Sequence, residues 1–447
     1  MPTSTNDQLT LPWGASDRIN LSLPADWPAA EVVEPDLTDP IDDYPAALNS
    51  ALDAPRGMSL LEKHLRPGMK IAIVVDDPSR WTPVTTALGV LLPRLTSFGV
   101  KDAEISISVG VGRHHAVDDQ AMRARVGNDV VARFRCFSPP VDDISAYVDL
   151  GFTPDGVPVR LFRPVAEADL RILIGSVLPH LQAGFGGGYK LIFPGTCHRS
   201  TLGSLHRRGL EHGAAADRLL GGDPSANPMR ALIRGAASKL GPCFSISHVL
   251  GPTGAVFRVE AGIPDAVQAT LAEEARRRFR APDAPLADLV VVGNHPWPGD
   301  PMQSFKVLLH HRAACRSGGA LIGLFWTDPG EIDRSFPLAS LQIIARSGRV
   351  GSRLIEHGLP AAERFASALK SPAAFMVRWA RELVVDRKVL VYAPPLFERL
   401  GPRLGPVRIF NDLNALWKAA SPSDVTRSLP RARVFPVGGL TYVEARQ

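Results

Sequence analysis

The run LRILIGSV (Leu170–Val177) is followed, one residue later, by PHLQAGFGGGYKLIFPG (Pro179–Gly195). The first segment is apolar and rich in Ile, Leu and Val, which favours a buried β-strand. The second carries four glycines within the five residues 184–188. Glycines let the backbone approach a ligand closely and leave N–H groups available for an anion. The two segments together predict a strand that ends in a ligand-binding loop.

Short apolar runs of the same kind recur along the chain, and an amphipathic helix usually follows each polar or glycine-containing turn. The other runs are Lys70–Val75, Glu104–Val111, Leu289–Val292, Ala320–Phe325 and Val389–Tyr392. Helical spacing of apolar residues marks the segments Pro83–Phe98, Pro264–Arg280 and Leu338–His357. Strands that alternate with helices favour an α/β fold with largely parallel sheets. We therefore predict two α/β domains with the active site in the cleft between them.

The chain has 447 residues, enough for two or three domains. We place a catalytic, cofactor-binding domain at residues 1–263, an α/β domain at 264–420, and a segment at 421–447 that packs back on the N-terminal domain. The stretch RAPDAPLA (Arg280–Ala287) is typical of a linker. The first 45 residues are acidic and Pro-rich, with nine Asp or Glu against a single Arg18. We expect them to wrap the surface in extended form.

Composition excludes several classes of protein. A hydrophobic fraction of 45% and a charged fraction of 21% argue against disorder. No apolar run approaches the ~18–20 residues that span a membrane, and the N-terminus lacks a signal-peptide pattern. The four cysteines lie far apart without a CxxC motif, which argues against a disulfide framework or zinc ribbon. Without a basic run, the net charge of +5 predicts a cytoplasmic protein that binds neither nucleic acid nor membrane.

Charged side chains follow the predicted strands, where open α/β sheets bind ligands. DDPSRWTP (Asp76–Pro83) contains Arg80, whose planar guanidinium can bind a carboxylate or phosphate with two hydrogen bonds. GRHH (Gly112–His115) supplies paired histidines, which are acid/base groups, metal ligands or simply a polar loop. Gln303 and Lys306 would share one face of a helix, either as an anion contact or as a solvated surface.

Lys190 closes the glycine-rich loop and is one of only nine lysines in the chain. The P-loop pattern GxxxxGK[ST] fails, because Tyr189 separates the glycines from Lys190 and Leu191 stands where Ser or Thr is required. A GxGxxG motif of the dinucleotide-binding type is also missing. With His180 and His206 on either side, Lys190 is a functional candidate. A glycine turn with a solvated lysine is the alternative.

Together these segments resemble the nickel-pincer lactate racemase family of nickel-dependent 2-hydroxy-acid racemases and epimerases. The loop PHLQAGFGGGYKLIFPG is the most specific part of the resemblance, with His206 sixteen residues beyond Lys190. The other matching segments occur in the family's order, so the likeness runs over most of the chain. They are LPWG (Leu11–Gly14), PGMKIAIVVDD (Pro67–Asp77), DDPSRWTP, GRHH and QSFK (Gln303–Lys306).

The resemblance implies a nickel cofactor held by the glycine-rich loop. Lys190 would carry pyridinium-3,5-bisthiocarboxylic acid mononucleotide, the nickel-pincer nucleotide, through a thioacyl link, next to Gly186, Gly187 and Gly188. His206 would supply the remaining protein ligand to nickel, for which imidazole is suited. Asp77 would shape the loop that carries Arg80. Separate maturation proteins would build the cofactor, so this chain would need them as partners.

The implied chemistry also accounts for the remaining residues. Removing a hydride from C2 of a 2-hydroxy acid gives a planar 2-keto acid, and returning it to the opposite face inverts the centre. One base is then needed on each face, and the resemblance assigns His114 and His180. Histidine suits this role because its ordinary pKa is about 6.5. Arg80, Gln303 and Lys306 would hold the substrate, with the two cations on its carboxylate.

The chain departs from the family pattern around this core. His115 stands where the family usually has Arg, Tyr189 also replaces an Arg, and Met302 takes a place often held by Tyr. Asp118 and Asp119 stand where Thr and Glu are common. These changes predict a substrate other than lactate itself, such as a larger, aromatic or sugar-derived 2-hydroxy acid.

Two other classes of function remain as alternatives. A nickel-free α/β enzyme would use Lys190 for phosphate or Schiff-base chemistry. A non-catalytic binding protein that kept the fold is disfavoured, because Lys190, His114, His180 and His206 are all present. Within the racemase interpretation, His115 rather than His114 could be the working base. The specific hydroxy acid, the oligomeric state and the permanence of the cofactor link stay open at this stage.

Overall fold

A computed structural model describes residues 9–14, 16–24, 27, 29–112, 114, 116–211, 219–297, 301–335, 337–369, 374–421 and 431–445. The strands are β1 (Leu9–Trp13), β2 (Asp17–Leu21), β3 (Ala30–Val32), β4 (Ile71–Asp76), β5 (Ile105–Gly110), β6 (Arg135–Phe137), β7 (Tyr147–Phe152), β8 (Pro158–Phe162), β9 (Leu170–Ser176), β10 (Pro179–His180), β11 (Gly184–Phe185), β12 (Cys243–Leu250), β13 (Val256–Gly262), β14 (Ala287–Gly293), β15 (Cys315–Leu324), β16 (Lys388–Tyr392), β17 (Arg403–Leu404), β18 (Val407–Phe410) and β19 (Ala432–Phe435). The helices are α1 (Tyr44–Asp53), α2 (Val84–Ser97), α3 (Asp119–Val126), α4 (Asn128–Arg133), α5 (Arg163–Ala166), α6 (Arg199–Glu211), α7 (Pro228–Ala237), α8 (Pro264–Phe279), α9 (Pro301–His311), α10 (Pro329–Ser335), α11 (Leu338–Arg346), α12 (Gly348–Ala368), α13 (Ala374–Val384), α14 (Pro394–Leu400) and α15 (Leu413–Ala420).

The chain forms two compact units. The first unit comprises Leu37–Gly213 and Gly222–Arg278, and the second comprises Met1–Asp36, Ala214–Gly221 and Phe279–Gln447. Each unit is built on one large sheet with helices, as the sequence predicts for an α/β fold. None of the described helices is long and apolar enough to cross a membrane.

The first unit contains a six-stranded sheet in the order β13-β12-β9-β4-β5-β6. β13 pairs antiparallel with β12, and the other neighbours pair in parallel. β4 lies near the centre, and all six of its residues are buried. Because β9, β4 and β5 are parallel neighbours, their carboxyl ends lie side by side, and so do the loops that follow them.

Apolar side chains alternate between the two faces of β4, so helices pack on both sides of the sheet. Ile73 belongs to a core that includes Leu88 and Leu91 of α2. Its neighbour Val74 belongs to a second core on the opposite face, with Leu205 of α6 and Ile233 of α7. Each such side chain contributes about 1.5–3 kcal/mol when fully buried. The loops at the end of β4 are therefore anchored in a rigid layer structure.

The second unit contains a seven-stranded sheet in the order β17-β18-β16-β15-β14-β19-β3. All neighbours pair in parallel except β17 and β18. The β1–β2 hairpin buries Leu11 and Leu21 in the core of this unit, together with Trp27. The first 45 residues were expected to wrap the surface in extended form. Their described part up to residue 43 has no helix and is mostly exposed or partly exposed, but these large apolar side chains anchor it in the core.

The division into units differs from the predicted domain boundaries. β3 pairs with β19, so residues from both ends of the chain join the sheet of the second unit. Residues 421–447 were expected to pack on the N-terminal domain, and β19 lies between β3 of that predicted domain and β14 of the predicted domain 264–420, with hydrogen bonds to both. The first unit also extends to Arg278, past the predicted boundary at residue 263. The predicted linker Arg280–Ala287 follows this boundary directly.

The predicted elements are present with shifted ends. All six apolar runs form strands, and β15 begins at Cys315, five residues earlier than predicted. The predicted helix Leu338–His357 is two helices, because α11 ends at Arg346 and α12 begins at Gly348. Gly348 has a φ of 65°, a left-handed conformation that interrupts a regular helix and that glycine adopts readily.

His248 of β12 is a buried titratable group in the first unit. Its Nδ1 donates to the carbonyl oxygen of Gly175 at 2.8 Å, and the Tyr44 hydroxyl lies 2.8 Å from its Nε2. Because the carbonyl can only accept, the ring hydrogen lies on Nδ1, and Tyr44 donates to Nε2. Burial lowers the pKa of His248 to about 4. The folded protein therefore holds this side chain neutral.

We expect the first unit to lose stability as the pH falls from about 6.5 towards 4. In this range the unfolded chain binds a proton at His248 and the folded chain does not, so acid favours unfolding. At pH 5 this one side chain should cost on the order of 2 kcal/mol. Urea unfolding at pH 7.5 and pH 5 tests this, with His248→Gln beside the control His64→Gln. An equal pH dependence in wild type and His248→Gln would contradict the expectation.

Candidate active site

The loops that follow β9, β4 and β5 contact one another at the carboxyl edge of the first sheet. Asp77 Oδ1, after β4, lies 3.4 Å from Nδ1 of His114, after β5. The backbone N–H of Gly112 donates to the carbonyl oxygen of Gly195 at 2.9 Å, which joins the loop after β5 to the loop after β9. A Cβ on Gly195 would overlap the carbonyl oxygen of Leu191, so only glycine fits at the position that accepts this bond. The structure thus brings the three predicted loops together.

A buried arginine supports the loop that carries Arg80. Arg125 of α3 forms an ion pair with Asp76, whose other carboxylate oxygen accepts from the Thr82 hydroxyl at 2.6 Å. Arg125 also donates to the carbonyl oxygens of Arg80 at 3.0 Å and Thr82 at 3.1 Å. These bonds fix the backbone at residues 80 and 82, on both sides of Trp81. The loop is therefore held in one conformation before any ligand arrives.

Asp77 and His114 form a carboxylate–imidazole pair. Asp77 is 8% exposed, and its Oδ1 accepts from the backbone N–H of Ser79 at 2.9 Å. Burial raises the pKa of Asp77, but the hydrogen bonds from His114 and Ser79 and the positive charges of Arg80 and His114 together outweigh burial and hold that pKa well below its ordinary range. An ionised carboxylate opposite Nδ1 favours hydrogen on Nδ1, so Nε2 is the atom that exchanges a proton. His115 lies outside the described residues.

The surroundings of His180 differ from those of His114. Its Nδ1 accepts from the backbone N–H groups of Gln182 at 3.2 Å and Ala183 at 3.1 Å. In the neutral ring the hydrogen therefore lies on Nε2. The neutral His180 presents a hydrogen-bond donor through Nε2, whereas His114 presents a lone pair there. Nε2 of His114 can therefore accept a proton, whereas Nε2 of neutral His180 can donate a hydrogen bond.

The glycine-rich loop leads directly to Lys190. Lys190 lies in a short 3-10 helix, Gly188–Leu191, just after Gly187. Gly187 and Gly188 have φ values of 75° and 60°, which side-chain-bearing residues rarely adopt. A Cβ on Gly187 would also stand 2.6 Å from a methyl group of Val177. Both positions therefore require glycine, and the backbone presents Lys190 from a tight turn.

His206 would bind a metal ion through Nε2, because its Nδ1 is engaged by the backbone. It lies on α6 with 9% exposure, and its Nδ1 donates to the carbonyl oxygen of Leu202 at 2.8 Å. That bond places the ring hydrogen on Nδ1 and leaves Nε2 with its lone pair, the usual arrangement in metal sites. Among the described residues no group of three or more His, Cys, Asp or Glu could hold a metal ion. A metal at His206 therefore needs further ligands from a bound group.

Gln182 connects the two parts of the site and leaves one atom for a ligand. Its side-chain Nε2 donates to the carbonyl oxygen of His206 at 3.2 Å, and its backbone N–H reaches His180. Its Oε1 is buried and has no hydrogen-bond partner within the described part of the chain. A buried acceptor without a donor is costly unless a bound group supplies one. The unpartnered oxygen and the lone pair of His206 fit a resident cofactor.

Gln303 and Lys306 belong to α9 of the second unit. Lys306 Nζ donates to Gln303 Oε1 at 3.2 Å, so the two side chains share a helix face as their spacing predicts. Gln303 is 9% exposed. Their contact with a substrate remains a prediction, as does the expected position of the site in a cleft between domains.

Arg125, Arg230 and Gln182 are site residues to which the sequence analysis assigned no role. Arg230 shares the buried face of α7 with Met229 and Ile233. Arg125 is also buried, with 9% of its surface exposed, and it precedes the buried Val126 in α3. An arginine among the apolar positions of an amphipathic helix is a signal that could have identified Arg230. Gln182 offered no comparable signal, because a polar residue in a loop is ordinary.

Comparisons with known proteins place this chain next to lactate racemases. Residues 15–217 match the family model described as the lactate racemase N-terminal domain. A lactate racemase from Thermoanaerobacterium thermosaccharolyticum is 26% identical over 275 residues, which are 61% of this chain and 63% of that protein. A lactate racemase from Lactiplantibacillus plantarum is 32% identical over 159 residues, or 36% of this chain and 37% of that protein. The chain thus matches less than two thirds of the length of either curated relative.

Solved structures extend the likeness over nearly the whole chain. The lactate racemase apoprotein from T. thermosaccharolyticum superposes with a TM-score of 0.81 at 20% identity, covering 98% of this chain and 100% of that chain. A protein from Thermotoga maritima superposes with a TM-score of 0.65 at 14% identity, covering 90% and 98%. At these identities the superpositions show a shared fold.

Proposed function

Since the chain resembles lactate racemases in sequence and in fold, we propose that it belongs to the lactate racemase family and is a racemase or epimerase that inverts C2 of a 2-hydroxy acid. The observation that carries the proposal is the arrangement at one sheet edge. The Asp77–His114 pair lies at that edge. The hydrogen bond from Gly112 to Gly195 joins the loop of His114 to the loop that carries Lys190. An isomerase with acid/base histidines is the function that this arrangement supports best.

The proposed cofactor is the nickel-pincer nucleotide, and three features of the chain suit it. Lys190 would bear the covalent link, and Gly186, Gly187 and Gly188 would let the cofactor approach the backbone. Nε2 of His206 would bind nickel, with the other ligands supplied by the cofactor, because the described part of the chain contains no metal-binding cluster of its own. When bound, this group supplies a reversible acceptor for the C2 hydride. Maturation proteins that build it would be required partners.

The chain's own residues would move the hydroxyl proton and hold the substrate. On one face, Nε2 of His114 would take the proton, while the ionised Asp77 stabilises the resulting imidazolium. On the other face, His180 would donate a hydrogen bond through Nε2 to the substrate oxygen, and it would deliver a proton to the returning alcohol from its imidazolium form, which leaves a neutral ring. Arg80 would bind the substrate carboxylate from a loop fixed by Arg125, which lowers the entropy cost of orientation. Gln303 and Lys306 would complete carboxylate binding.

We expect a substrate other than lactate to react best. Tyr189 and His115 replace arginines of the family pattern, and Met302 replaces a tyrosine, so the pocket around the conserved core is altered. Protein produced with the maturation proteins should invert an aromatic or sugar-derived 2-hydroxy acid with a kcat/KM at least ~10-fold above that for lactate. Chiral chromatography of single-enantiomer substrates measures this. Fastest inversion of lactate would contradict the substrate prediction while preserving the proposed reaction.

A further inference from the structure

Arg230 of α7 is a buried cation whose hydrogen bonds reach the glycine-rich loop. Its side chain is 2% exposed. The guanidinium donates to a series of backbone carbonyl oxygens between His180 and Lys190. The acceptors are the oxygens of Ala183 at 3.2 Å, Phe185 at 2.6 Å, Gly186 at 2.7 Å and Gly187 at 3.4 Å. Four backbone carbonyl groups of the loop thus accept hydrogen bonds from one side chain.

The position of Arg230 in its helix makes this role specific. Met229, Leu232 and Ile233 of the same helix are core residues, so an apolar side chain would suit the pattern. Burial lowers the pKa of Arg230 to about 10, which still leaves it charged at neutral pH. Burying a charge is costly, and the carbonyl oxygens offset that cost only while the loop keeps its conformation. Helix and loop therefore stabilise each other.

The bonds to Arg230 also determine where the loop amides point. In a trans peptide the N–H of the next residue is directed opposite to the carbonyl. The carbonyls that face Arg230 therefore turn the N–H groups of Gly187 and Gly188 to the other side of the loop. The Gly187 oxygen also accepts the backbone N–H of Lys190 at 3.4 Å. One carbonyl thus links Arg230 directly to the turn that presents Lys190.

The start of α7 extends this support to the beginning of the loop. Asn227 caps the helix by accepting the backbone N–H of Arg230 at 3.1 Å. Its side-chain amide donates to the carbonyl oxygen of Gln182 at 2.9 Å. α7 and its N-cap residue therefore hold the loop at five positions between Gln182 and Gly187.

We propose that Arg230 is a positioning residue that holds the glycine-rich loop in the conformation required for attachment of the cofactor to Lys190. The part of this inference that concerns attachment rests on the proposed function, whereas the part that concerns loop order does not. Arg171 provides a matched control. It is also buried, at 3% exposure, and it donates to the carbonyl oxygens of Val165 at 2.9 Å and Ala166 at 2.6 Å, outside this loop.

Hydrogen–deuterium exchange of the unmodified protein tests loop order without any cofactor. In Arg230→Met the amides of residues 182–190 should exchange at least ~10-fold faster than in wild type. Arg230→Lys keeps the charge but not the multiple bonds, so it should give a smaller increase and serves if Arg230→Met fails to fold. Arg171→Met should leave this peptide unchanged. Equal exchange of residues 182–190 in the Arg230 variants and in Arg171→Met would overturn the proposal.

Intact mass after co-expression with the maturation proteins gives the second readout. The modified fraction of Lys190 should fall several-fold in Arg230→Met and remain at the wild-type level in Arg171→Met. If Lys190 is modified in the wild type and the modified fraction is the same in Arg230→Met, the attachment part of the proposal is overturned. If wild-type Lys190 is itself unmodified, the proposed function fails, and the exchange experiment still decides whether Arg230 orders the loop.

Discussion

Lys190→Arg should lower the racemisation rate by a factor of roughly 10³ or more, although it keeps the positive charge. The physical reason is that the proposed cofactor is attached to Lys190 by a covalent bond. An amine can lose a proton and form an amide-type link, whereas a guanidinium stays protonated and is a poor nucleophile. Both lysine and arginine are compatible with the short 3-10 helix that carries residue 190, so we expect the backbone to be unchanged. Chiral analysis of the product, with thermal unfolding to verify the fold, measures the effect.

The exposed Lys239 in the same unit is the matched control for this substitution. Lys239→Arg should retain wild-type activity. Activity of Lys190→Arg within about tenfold of wild type would contradict a covalent role. That result would favour a nickel-free enzyme in which Lys190 only binds an anion.

His114→Ala should lower kcat by ~10²–10⁴, the usual contribution of a general base. Asp77→Asn should give a smaller loss, because it keeps the imidazole but removes the carboxylate that orients Nδ1 and stabilises the imidazolium. The losses should be largely non-additive in the double variant, since both residues serve one proton transfer. Initial rates of the cofactor-loaded enzymes measure all three.

Two further variants complete this experiment. His64→Ala, a partly exposed histidine away from the sheet edge, should leave kcat unchanged. His115→Ala distinguishes the two neighbouring histidines. A near-normal rate in His114→Ala with a collapse in His115→Ala would contradict the assignment and make His115 the base.

The parts of the fold that local sequence determines were predictable. β4 has six consecutive buried residues, and its continuous apolar run marks a strand covered on both faces. The glycines at 187 and 188 marked a turn that the positive φ values confirm. The roles of residues 80, 114, 180, 190 and 206 remain predictions that rest on the family resemblance and on the geometry.

The remaining features depend on pairing between distant residues. Arg230 bonds to carbonyl oxygens 43 to 47 positions earlier in the chain, and neither helix periodicity nor loop composition specifies such a partner. The same holds for β3 and β19, which are short strands about 400 residues apart that pair only in the assembled sheet. Each strand has too few apolar residues to indicate which sheet it joins. For this reason the sequence did not place β3 and β19 in one sheet.

The most direct test of the central proposal is the intact mass and metal content of the wild-type protein produced with the maturation proteins. Peptide mapping should place a nucleotide-sized addition on Lys190, together with about one nickel per chain. His206→Ala should lose the nickel, since its Nε2 is the proposed protein ligand. An unmodified Lys190 without nickel under these conditions would contradict the account.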